Sequence, residues 1–79
     1  MAIDLEAKLA EIFSIVLDLP SDSDPKVIRQ VNCEQWDSLA TVSLVAAVES
    51  ELGLMLQTDE HERFTSYQSV LLLLREKGL

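Results

Sequence analysis

Apolar residues recur at helical spacing in three separate stretches, and no stretch alternates long enough to make a strand. Leu5, Leu9, Ile12, Phe13, Val16 and Leu17 lie on one helix face at i, i+4, i+7, i+8, i+11 and i+12. Asp4 stands where an N-cap belongs, and Pro20 predicts a stop at Asp18 or Leu19. A second helix is expected from Ser38 to about Leu52. Leu44, Val45, Val48 and Leu52 form its core stripe, Leu39, Val42 and Ala46 fall toward its edge, and Gly53 supplies the C′ residue. Asp59 with Glu62 has the capping-box pattern of a short third helix ending near Phe64. Thr65 with Gln68 has the same pattern for a last helix that turns Tyr67, Val70, Leu71 and Leu74 inward and ends at Gly78. Leu72 and Leu73 exceed one face, so at least one of them is expected at the surface. The expected fold is all-α: a small four-helix bundle of three longer helices and a short third one, in one domain over 1–79.

Between the first two helices the periodicity is lost for roughly 20 residues, a long connection for a small domain. Ser21-Asp22-Ser23-Asp24-Pro25 is turn chemistry, and Asp24 before Pro25 predicts one short helical turn through Val27 and Ile28. Val27, Ile28, Val31 and Trp36 are the residues expected to pin the loop to the bundle.

Fourteen acidic residues against six basic ones give a net charge of −8. That field disfavours nucleic acid and anionic membrane surfaces and favours basic protein partners. The single cysteine, Cys33, cannot form an internal disulfide, which suits a reducing, cytoplasmic compartment. Met1-Ala2-Ile3-Asp4 has no basic leader character, and the longest apolar run, Val70 to Leu74, is too short to span a bilayer. With one modest apolar patch, a monomer is the expectation.

The residue types for catalysis are sparse. The only histidine, His61, falls on the short third helix, and no spacing arranges it beside a serine nucleophile. One Cys and one His give no metal-ligand spacing, and Asp22 and Asp24 lack the glycine and closing glutamate of a calcium loop. Cys33 reads as a small, partly buried apolar residue, and Glu60-His61-Glu62-Arg63 as a solvated helix face. What the chain does offer is Trp36-Asp37-Ser38-Leu39 at a helix start. A phosphate ester on Ser38 would meet free N–H groups and the positive end of a helix dipole. Trp36 reads as a plug that anchors the loop and fixes the angle of Ser38.

Asp37-Ser38-Leu39 opening an amphipathic helix resembles the attachment motif of acyl carrier proteins. The likeness extends through Val42, Leu44, Val45, Glu49, Glu51, Leu52 and Gly53, the Asp59-Glu60 turn and the Thr65-Ser66-Tyr67 helix start. It takes in the first helix, the long loop and the chain length as well, so it covers the whole chain. It implies a 4′-phosphopantetheine arm on Ser38, donated from coenzyme A by a phosphopantetheinyl transferase that uses magnesium. The arm would hold acyl groups as thioesters for acyl-transferring or acyl-activating enzymes with basic patches, and the carrier would catalyse nothing. Asp37 and Leu39 would contact the transferase. Val42, Ala46 and Glu49 would lie on the surface that partner enzymes read. The small pair Ala46-Ala47 marks a seam where an acyl chain could shelter.

The chain also departs from that family. Ala40 and Ser43 stand where fatty-acid carriers bear acids, and Ser50 interrupts the later acidic cluster. Gln57 stands where proline is frequent. Each lost exposed charge pair weakens a basic partner's hold by up to about 1 kcal/mol. A specialised carrier for a polyketide-like, modified-lipid or surface-polymer pathway is therefore expected. A peptidyl or aminoacyl carrier is the alternative within the class, and an acidic helical protein-binding module the alternative outside it. The excess negative charge predicts that sodium chloride or magnesium raises the melting temperature followed by circular dichroism. A fall on adding either would contradict the self-repulsion argument.

Overall fold

The computed structural model describes residues 4–79, so the leader reading of Met1, Ala2 and Ile3 lies outside the described residues. Four α-helices follow in order: α1 Leu5–Val16, α2 Ser38–Leu52, α3 Thr58–His61 and α4 Tyr67–Glu76. The all-α, four-helix architecture with three longer helices, one short one and a long first loop is the one expected. Among the described residues the only strand-like pairing is an isolated antiparallel bridge between Arg29 and Ser66. No helix among them is long and apolar enough to cross a membrane.

The helix starts follow from short side-chain oxygens. The Asp4 carboxylate accepts from the Ala7 N–H at 3.2 Å, as expected for α1. α1 stops at Val16, four residues before Pro20 and earlier than the expected Asp18 or Leu19. Asp18 adopts a left-handed conformation at φ 51°, and the Leu19 N–H turns back to the Ser14 carbonyl at 3.0 Å. Aspartate tolerates that region better than most residues, so the chain turns before the proline is reached. Gly53, at φ 65°, closes α2 as expected.

Two expected caps shift. For α3 the box is not Asp59 with Glu62: Glu60 accepts from the Gln57 N–H at 2.7 Å, and Lys77 holds the same carboxylate at 3.0 Å. For α4 the cap is Ser66 rather than Thr65. Its Oγ accepts from the Ser69 N–H at 3.0 Å, while the Thr65 carbonyl is engaged by the Gln30 N–H at 2.8 Å in the bridge. That bridge holds Thr65 to the loop and leaves the capping position to its neighbour.

The loop contains the expected short turn, a 3-10 helix Pro25–Val27 with the Asp24 carboxylate accepting from the Lys26 N–H at 3.0 Å. A second one, Gln30–Asn32, follows. Val27 and Val31 do not pin the loop; they are 66% and 82% exposed. Trp36 is buried and Ile28 half-buried, as expected, and Cys33 is buried beside them in the loop. The second 3-10 turn ends at Asn32 and the chain is extended at Cys33, which leaves Val31 on the outer side while Cys33 and Trp36 are buried. The Gln30 amide donates to the Trp36 carbonyl at 3.4 Å.

The core gathers at Phe13, which is fully buried. Trp36 packs edge-on to it at 5.2 Å between ring centroids and Tyr67 at 5.4 Å. Leu9, Leu44, Val48, Val70, Leu73 and Leu74 fill the space between helices. Leu72 is the leucine left outside, at 56% exposure. Tyr67 donates its hydroxyl to the Glu6 carbonyl at 2.8 Å, tying α4 to α1.

Burial, helped by the charges of Glu6, Asp4 and Asp24, pushes the Tyr67 phenol up to about 12. An acid with a raised folded-state pKa binds its proton more tightly when folded. Stability is therefore retained below the ordinary phenol value near 10 and falls as pH rises toward about 12. We expect urea titrations between pH 9 and 12 to lose on the order of 2 kcal/mol through this group. Tyr67→Phe should remove that part of the alkaline loss, and an unchanged alkaline slope would contradict the assignment.

Candidate functional site

Ser38 is exposed and is the first residue of α2. Its position is set from below. Trp36, 3% exposed, locks the end of the loop into the core through Phe13. The Trp36 indole N–H donates to Thr41 Oγ1 at 2.9 Å, and the Thr41 hydroxyl donates to the Asp37 carbonyl at 3.2 Å. The Asp37 carboxylate accepts from the Ala40 N–H at 2.8 Å and caps the helix. Two residues before Ser38 and one turn after it are thus tied together, while Ser38 itself is left outside.

A helix start leaves N–H groups without intrahelical partners. Here Asp37 takes up that of Ala40, and the N–H of Thr41 begins the helical ladder on the Asp37 carbonyl at 3.0 Å. Among the described residues the N–H groups of Ser38 and Leu39 have no protein partner. A negative group at this helix start would be favoured by those N–H groups and by the helix dipole.

The surface beyond Ser38 is apolar. Leu39 is 74% and Val42 65% exposed, and Ala46 is exposed on the same side. The two acids of α2 are already engaged. Glu49 is half-buried and its Oε2 accepts from the Leu56 N–H at 2.9 Å, which fastens the link after α2. Glu51 pairs with Lys8 at 3.1 Å. Glu49 therefore has a structural task that its sequence position did not reveal, because its partner is a backbone group seven residues away.

A recess of about 210 Å³ opens beside this helix, lined by Val42, Val45, Ala46 and Glu49 of α2 and by His61 of α3. Ala46 lines it; Ala47, also expected at the seam, is instead packed against the core. His61 is not the solvated residue expected. It is half-buried, and its Nε2 is shut from solvent with no hydrogen-bond partner among the described residues. An unpaired buried polar atom costs about 1–3 kcal/mol. Its neighbours Glu60 and Arg63 are likewise not free: they pair with Lys77 at 3.0 Å and Glu76 at 2.8 Å at the end of α4. The repeated acids around His61 hide this arrangement in the sequence, since only the folded chain brings His61 beside Val42, Val45, Ala46 and Glu49 of α2. Cys33 is buried as expected, with its thiol 3.5 Å from Gln35 Oε1.

No family model, curated protein or solved structure matches the chain.

The geometry separates the roles of Thr41 and Ser38. Thr41→Val leaves the buried indole N–H without its acceptor and should cost about 1–3 kcal/mol in urea denaturation. Ser38→Ala removes an exposed hydroxyl and should change stability by less than about 0.5 kcal/mol. Equal losses in the two variants would contradict this division.

Proposed function

We propose that the chain is a carrier protein and that Ser38 is its attachment point for 4′-phosphopantetheine. The observation that carries the reading is an exposed serine at the first position of a helix whose cap, anchor and ladder are all supplied by neighbouring residues. The site fits the group: Ser38 is exposed, and the N–H groups of Ser38 and Leu39 have no protein partner among the described residues. When bound, that group supplies a thiol that holds cargo as a thioester. Ser38 would take the phosphate, Asp37 would keep the helix start open by capping it, and Trp36 would hold the segment at a fixed angle.

In this reading the chain performs no chemistry of its own. Its partners are a phosphopantetheinyl transferase and enzymes that load or consume acyl groups. Asp37 and Leu39 flank the attachment point for the transferase, and Val42, Ala46 and Glu49 lie farther along the face that partners read. The family likeness suggests partners with basic patches, but Glu49 and Glu51 are engaged within the fold. Contact with α2 then rests more on Leu39 and Val42, which suits a specialised acyl carrier better than a charge-read one. The recess on the same face, below Ser38, is the place for the cargo chain.

Intact-mass measurement after incubation with coenzyme A, magnesium and a broad-specificity phosphopantetheinyl transferase tests the proposal. Wild type is expected to gain one phosphopantetheine and Ser38→Ala none. If folded wild type gains nothing with two different transferases, the carrier reading is overturned, and the acidic surface then favours a protein-binding module.

A further inference from the structure

The cavity under Ser38 is mostly aliphatic, but its one α3 wall is an imidazole. Val42, Val45, Ala46 and Glu49 stand 4, 7, 8 and 11 residues beyond Ser38, so they follow the helix strip that begins at the attachment point. At 1.5 Å per residue they extend roughly 6 to 16 Å along the axis from it. The recess holds about 210 Å³ and is a groove open to solvent rather than a closed cavity.

A purely alkyl occupant would be served best by a wall of leucine or phenylalanine. His61 instead brings a ring nitrogen that is withdrawn from solvent and bonded to nothing among the described residues. Buried polar atoms are normally paired, and each exception calls for a partner. The other polar lining group, Glu49, is committed through Oε2 to the Leu56 N–H. The wall that carries His61 is short: α3 is four residues long, buries no side chain completely, and is held to α4 by the exposed pair Arg63–Glu76 and the more sheltered pair Glu60–Lys77. A slight swing of the imidazole into the recess would bring Nε2 to an occupant.

We infer that this recess selects a cargo chain bearing an oxygen substituent, a hydroxyl or carbonyl, which hydrogen-bonds to His61 Nε2. The inference rests on the carrier reading and names its substrate class: oxygenated acyl groups in preference to plain alkyl ones. Imidazole suits either form, since a neutral ring can present Nε2 as donor or as acceptor.

The test loads Ser38 from octanoyl-coenzyme A and from 3-hydroxyoctanoyl-coenzyme A, with the arm attached by a broad-specificity transferase and loading checked by intact mass. Two readings are then taken. The first is the ¹⁵N shift of the His61 ring, which should move with the hydroxylated cargo and stay near the unacylated value with octanoyl. The second is cleavage of the thioester by hydroxylamine. It should be about five-fold slower for the hydroxylated chain, corresponding to about 1 kcal/mol, and the two rates should converge in His61→Phe. Loading with an unmoved ring signal and equal rates in wild type overturns the inference while leaving the carrier reading intact. Failure to load overturns the carrier reading, and the inference with it.

Discussion

The edge-to-face contact of Trp36 with Phe13 is the joint on which the rest depends. Phe13 belongs to α1, Tyr67 to α4 and Trp36 to the end of the loop, so one buried ring joins three parts of the chain. Such pairs contribute about 0.5–1.5 kcal/mol each beyond the area they bury. Their larger consequence is positional. With Trp36 fixed, the next residue caps a helix and the one after it is lifted into solvent. An exposed serine at a defined angle is thus a product of the core, although Ser38 makes no core contact.

The loop shows how a small domain orders a long connection with little apolar material. It has two 3-10 turns, one bridge to the start of α4 and three buried side chains, Leu17, Cys33 and Trp36. The Gln30 N–H and the Ile28 carbonyl both engage the Thr65–Tyr67 segment, at 2.8 and 3.0 Å. Backbone pairing does what additional hydrophobic residues would do in a larger protein. The outer surface can then stay acidic, with the ion pairs Lys8–Glu51, Arg63–Glu76, Arg75–Glu6 and Lys77–Glu60 tempering the repulsion.

The helices were legible because burial writes its period into the sequence: Leu5, Leu9, Ile12 and Phe13 on α1, Leu44, Val45 and Val48 on α2, and Tyr67, Val70, Leu71 and Leu74 on α4 are all buried. What was not legible depends on partners distant in the chain. Thr65 and Ser66 are equivalent as caps until the bridge to the loop engages the first of them. Val31 looks like an anchor, but it sits in a three-residue 3-10 turn and is exposed, while Cys33 and Trp36 beyond the turn are buried. The capped helix start with its exposed serine was readable, since both features are local. The orphaned nitrogen of His61 was not, because it arises where α3 meets α2. The engagement of Glu49 by Leu56 was equally hidden, and it changes what the α2 surface offers to a partner.

One serine among eight therefore carries the proposed function. Fragmentation mass spectrometry of the chain after exposure to coenzyme A, magnesium and a phosphopantetheinyl transferase addresses it most directly. The predicted result places the added phosphopantetheine on the peptide that contains Ser38, with Ser14, Ser21, Ser23, Ser43, Ser50, Ser66 and Ser69 unmodified. Modification at any of those serines, or a folded chain left unmodified, would contradict the account.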